Sequence, residues 1–118
     1  MKDDKNPLGN IYISHRAIAT IAYQSALESY GVVGLAAKNF TEGLAQSIVK
    51  DPALGVKIDF NGNAIKIEMF IIVEYGTRVK SVAASVANSV RYQIEKALGL
   101  PVSEINVHVR GLRISNPD

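Results

Sequence analysis

Hydrophobic residues recur along this chain in two rhythms, and the switches between them mark the elements. From Gly9 to Ile13, Ile11 and Ile13 alternate with Asn10 and Tyr12, the period of a short half-buried strand. Ser14 then suits an N-cap, because its hydroxyl can accept from a first-turn amide, and it predicts a helix to about Ser29. Ile18, Ile21, Ala22, Ser25 and Ala26 form the narrow apolar or small face of that helix, and Tyr30-Gly31 closes it. His15 and Arg16 occupy its first turn, where the positive end of the helix dipole slightly disfavours cations.

Between Val32 and Gly55 the rhythm weakens. Phe40, Leu44 and Ile48 recur every four residues, which suits a short helix interrupted by Gly43 and ended by Pro52; a mobile flap is the equal alternative. Gly31-Val32-Val33-Gly34 has the spacing of a nucleic-acid-clamping loop, but its Val-Val centre fits an apolar linker tucked into the core.

Two strands follow. Val56, Ile58 and Phe60 alternate with Lys57 and Asp59, and Asn61-Gly62-Asn63 carries the hairpin chemistry of residues that tolerate positive φ. The returning strand, Ile65 to Tyr75, sets Ile65, Ile67, Met69, Ile71 and Val73 on one face. Its other face changes from Lys66 and Glu68 to Phe70 and Ile72, so that half is either central and covered twice or part of an interface.

A helix is predicted from Arg78 to Leu98 on the stripe Val79, Val82, Val86, Val90 and Ile94, stopped by Gly99 and Pro101. The last strand alternates Ile105, Val107 and Val109 against Asn106, His108 and Arg110, reaches a bulge at Gly111, and extends through Leu112 and Ile114. The fold class that results is α/β (α+β), β-α-β-β-α-β: a split βαβ-like mixed sheet with helices on one face and a variable segment between the first helix and second strand. Residues 1–8 are expected to be a mobile tail and residues 9–115 one domain.

Composition narrows the chemistry. Of 118 residues, 47% are hydrophobic and 20% charged, a globular balance that can support one core without staples. Cysteine is absent, which removes disulfides, thiolate metal ligands and cysteine nucleophiles, and fits a reducing cytosol. No apolar run is long enough to span a bilayer or to form a signal sequence, so no direct membrane insertion is expected. The net charge of +2 is mild for a nucleic-acid binder.

No catalytic, cofactor-binding or metal-binding residues are singled out. His15 and His108 have no second histidine or carboxylate at ligand spacing, and a metal needs three or four converging donors. Asp59 and Glu68 lie on opposite arms of the hairpin beside Lys57 and Lys66, which favours cross-strand ion pairing over acid–base work. No serine occupies a nucleophile elbow. The candidate surface is the uncovered sheet face, where Tyr12, Phe70, Ile72, His108 and Arg110 would cluster. Protein contact, burial under the variable segment and base stacking all remain open uses of such a patch.

Several segments in order resemble the alkaline shock protein family of Gram-positive bacteria. They are Gly9-Asn10-Ile11-Tyr12-Ile13-Ser14, Ile18-Ala19-Thr20-Ile21-Ala22, Gly31-Val32-Val33-Gly34, Ile72-Val73-Glu74-Tyr75-Gly76 and Ile105-Asn106-Val107-His108-Val109-Arg110-Gly111. The short form with an Asn-Pro ending is most similar to the branch often encoded beside a dihydroxyacetone-kinase-like fatty acid kinase. The resemblance implies no enzymatic activity and no cofactor. It implies a cytoplasmic protein of cell-envelope stress homeostasis or lipid metabolism, acting through self-association and a protein partner, in some members a membrane-anchored one. A small nucleic-acid-binding module is the alternative function.

Overall fold

A computed structural model describes residues 14–38, 48–60 and 64–113. Helix α1, His15–Leu27, begins where Ser14 predicts it: Ser14 has extended backbone, and its hydroxyl accepts from the Ala17 amide at 3.0 Å. Ile18, Ala19, Ala22, Tyr23, Ser25 and Ala26 are its buried side chains, a broader face than the apolar period alone indicates. Tyr23 joins that face because its hydroxyl donates to the Val49 carbonyl at 3.1 Å, so an apolar ring is buried without orphaning its polar end. After the helix the chain turns through Gly31 at φ +89°, and a Cβ there would come within 2.8 Å of Val82 Cγ2. Backbone conformation and close packing therefore both require glycine at this turn.

The segment after α1 differs most from expectation. Val32–Ala36 is strand β1, not a linker; Ile48–Val49 is strand β2, not the end of a helix. Leu35 and Ala36 are fully buried, and antiparallel pairing sets Leu35 opposite Val49 and Ala36 opposite Ile48. Pro52 starts an element where the sequence predicts it to end one. It opens the single helical turn α2, Pro52–Gly55, after Asp51, whose carboxylate accepts from the Ala53 amide at 3.0 Å. Proline suits a first helical position because the amide it lacks has no intrahelical partner there. The strand expected over 9–13, the helical period through Phe40 and Leu44, and the turn 61–63 lie outside the described residues.

Strands β3, Val56–Phe60, and β4, Ile65–Glu74, form the expected hairpin arms, with Lys57 opposite Glu68 and Asp59 opposite Lys66. Helix α3, Val79–Leu98, crosses to β5, Val102–Arg113, which runs parallel to β4 along its length. The register slips between Val109 and Gly111, leaving Arg110 as the extra residue of a bulge beside the predicted Gly111. The result is a five-stranded mixed sheet in which β4 pairs with β5 on one edge and with β3 and then β1 on the other. The α+β class with helices packed on the sheet is as predicted.

Helices α1 and α3 pack on the face of Ile65, Ile67, Met69, Ile71 and Val73, forming the main core. Val82, Val86, Val90 and Ile94 of the α3 stripe are buried there. Val79 is not: it stands at the exposed first turn, before the helix reaches the sheet. Gly99 closes α3 in the left-handed conformation at φ 72°. The chain is then gripped at Val102, whose amide donates to Glu95 at 2.9 Å and whose carbonyl accepts from Arg91. One turn of α3 thus satisfies both polar groups of the first β5 residue.

Two stability outcomes follow. Val86→Asp strands a carboxylate in the main core at a cost of several kcal/mol, comparable with the ~5–15 kcal/mol total of a domain, and circular dichroism should show an unfolded chain at 25 °C. Glu95→Ala removes a charged acceptor from a buried amide; urea denaturation should show a loss of about 1–3 kcal/mol with unchanged m.

Candidate functional site

The pleat sends alternate residues of β4 to the side that α1 and α3 leave uncovered. That side divides in two. Toward β3 and the start of β5 it is charged: register places Lys57, Glu68 and Asn106 in one row and Asp59, Lys66 and Glu104 in the next. The charges alternate in sign, as cross-strand pairing on a wet face requires. Asn106 donates to Glu104 at 2.9 Å, and the rows line a shallow cavity of about 240 Å³.

Toward β1 the same face turns apolar. Ala36, Phe70 and Ile72 are buried in a small cluster separate from the main core, with Val33 packed against it. Gly34, opposite Ile72, admits the Ile48 side chain, whose Cγ2 lies 2.8 Å from where a Cβ would stand. At the junction of the halves, the His108 ring stacks on Phe70 with centroids 4.9 Å apart and planes 14° from parallel. The Arg110 guanidinium lies over the same ring at 4.7 Å, and His108 Nε2 is 3.5 Å from a Glu68 carboxylate oxygen.

Four of the five residues singled out from the sequence therefore come together, and Tyr12 lies outside the described residues. Phe70 is 6% exposed and Ile72 is 0%, so the groups that reach solvent are His108, Arg110 and Glu68. Glu68 was missed as a member of the cluster, and with it the carboxylate that His108 does have. The signal needed was the parallel register of β4 and β5, because Glu68 and His108 lie forty positions apart and meet only diagonally across that pair. His15 does not join the site: it is exposed at the start of α1, beside Arg16, which pairs with Asp51 at 3.3 Å.

Among the described residues no group of three histidines or carboxylates is placed to hold a metal. Phe70, with 6% of its surface accessible, offers no free ring face on which a nucleic-acid base could stack.

Comparison with known proteins agrees with this architecture. A model of the alkaline shock protein 23 family, described by a cell envelope-related function, matches residues 3–114. The chain belongs to that family. The alkaline shock resemblance seen in the sequence segments is thus borne out, and so is the short branch. Over 111 residues the chain is 40% identical to uncharacterized protein YloU of Bacillus subtilis (strain 168), covering 92% of each. It is 31% identical over 114 residues to YqhY of the same organism, covering 96% of this chain and 84% of that one. Spy1614 of Streptococcus pyogenes serotype M6 is 30% identical over 108 residues, covering 90% of this chain and 89% of that one. Among solved structures, a doubly substituted MamM CTD superposes with a TM-score of 0.56 at 15% identity, covering 88% of this chain and 100% of that one. Another MamM CTD gives 0.52 at 14%, covering 83% and 99%. At such identity the likeness concerns the fold alone. Among the described residues of this alkaline shock protein 23 family member, no helix is long and apolar enough to cross a membrane.

The contact between Arg110 and Phe70 can be weighed directly. A double-mutant cycle of Phe70→Leu and Arg110→Gln, read by urea denaturation, should give a coupling of about 0.5–2 kcal/mol; additive losses would show that the cation over the ring contributes nothing.

Proposed function

We infer that the domain is a non-enzymatic protein-binding adaptor of cell-envelope homeostasis, and that it self-associates or engages its partner through the sheet face opposite α1 and α3. The observation that carries this inference is the pair of faces on β4. Both are apolar over Phe70 to Val73, but α1 and α3 pack on only one of them. On the other, a buried base of Phe70 and Ile72 holds His108, Arg110 and Glu68 at the surface. What this face offers a partner is therefore charged and hydrogen-bonding groups on a packed apolar support, the kind of group that forms the polar part of a protein interface. The family's cell envelope-related description gives the setting. In this reading the protein works in the cytoplasm and reaches the membrane through a partner.

The test leaves the buried base alone. Combining Glu68→Gln with His108→Gln removes the carboxylate and the imidazole while keeping polar side chains of similar length and placing no like charge opposite Lys57, so the melting temperature should stay close to wild type. Light scattering should show loss of self-association, or proximity labelling in the native cell should lose specific neighbours. A folded variant with unchanged mass and unchanged neighbours would rule the face out.

A further inference from the structure

A second surface lies on the helix-bearing side, at the corner where α1, β4 and α3 meet. The Glu74 amide donates to the Gly31 carbonyl at 2.8 Å, which sets the Tyr30–Gly31 turn beside the Tyr75–Gly76 turn. Gly76, at φ +97°, and the Thr77 hydroxyl, which donates to the Glu74 carbonyl at 2.7 Å, then lead the chain into α3. Two tyrosines are left standing in solvent, Tyr30 at 83% and Tyr75 at 67% exposure. Tyrosine normally buries most of its ring, so two exposed rings flanking one hydrogen bond need an explanation.

Between Tyr30 and the first two turns of α3 runs a groove of about 460 Å³. Its floor is Val82, its walls include Ser81 and Ser85, and Arg78 is the one charged residue in its lining. Arg78 is also the N-cap of α3, makes no capping hydrogen bond through its side chain, and is followed by no acidic residue in the first turn. The first intrahelical bond is made by the Val82 amide to the Arg78 carbonyl at 2.9 Å, so the amides of Val79, Lys80 and Ser81 lack an intrahelical acceptor. Lys80 adds a second exposed cation on that turn.

We propose that this groove docks an extended acidic peptide segment of a partner protein, seating one of its apolar side chains between Tyr30 and Val82 and a neighbouring carboxylate at Arg78. Charge complementarity selects the occupant: a basic rim at the positive end of a twenty-residue helix attracts a carboxylate and repels a cationic segment. The residue types fit as well, since exposed tyrosine and arginine at the edge of an apolar recess are those that dominate binding energy. This surface is separate from the Glu68–His108 face, so either can fail without the other. Together they would let one small domain hold two proteins.

The probe is a fluorescein-labelled peptide of alternating glutamate and leucine, titrated into the full chain by fluorescence anisotropy. Companion peptides replace every glutamate by glutamine or every leucine by serine. The wild-type protein should bind the first peptide and bind each companion at least about tenfold more weakly, because charge and apolar side chain are both needed. Arg78→Glu and Tyr30→Ala should each weaken binding by about tenfold or more with melting temperatures near wild type, both side chains being exposed. Amide shifts of the labelled protein should move around Tyr30, Gly76 and Val82. The Glu68→Gln/His108→Gln variant should bind the peptide as wild type does. Absence of binding, equal binding by Arg78→Glu, shifts confined to the opposite sheet face, or variants that alter only self-association would each overturn the proposal; the last would make the occupant a second copy.

Discussion

Strand β4 is the element to which the rest of the domain is registered. Parallel pairing with β5 occupies one of its edges, while β3 and β1 share the other in succession. A strand with both edges satisfied cannot slide: a slip of one residue would turn Ile65, Ile67, Met69, Ile71 and Val73 away from the helices and orphan hydrogen bonds on both sides. The side-chain pattern enforces the same register, because six of the ten β4 residues lie below 2% exposure, a degree of burial reserved for a strand at the centre of a sheet.

From that constraint comes the asymmetry of the molecule. The parallel β4–α3–β5 crossover needs its helix on one face, and the grip of Arg91 and Glu95 on Val102 ties the returning strand to that helix. With α1 beside α3, the main core lies on that side. Among the described residues the other face carries the smaller buried cluster of Ala36, Phe70 and Ile72, with Val33 packed against it and His108 and Arg110 against the Phe70 ring. The main core is thereby confined to one side of the strand, and surface residues of the other side such as His108 can vary without touching the valine stripe of α3.

Membership of the alkaline shock protein 23 family supplies a cell envelope-related setting, and a fold shared with the MamM CTD supplies a frame. Neither supplies a mechanism, because frames of this kind host unrelated activities. The structure adds the local chemistry: a histidine held between an aromatic ring and a carboxylate on the face opposite the helices, and a basic helix start without a side-chain cap near two exposed tyrosines on the other side.

The sequence by itself determined the elements whose signals are local. Ser14 supplies an acceptor to its own helix, Gly99 adopts a backbone conformation few other residues tolerate, and alternation along 56–60 and 65–73 separates two faces without reference to any partner. It also placed Phe70 with Ile72 on one face of their strand and His108 with Arg110 on one face of theirs, since a period of two survives any choice of neighbour. Tertiary structure decided the rest. Val32–Ala36 has too few residues for a convincing period and becomes a strand only because the upper half of β4 has an open edge. Pro52 looks like a stop until Asp51 is seen capping the turn it begins. Glu68 meets His108 only through the parallel register, and Val79 leaves its stripe because the sheet ends before it. Each of these depends on which strands lie side by side, a property that pairing energy settles across distances no local pattern records.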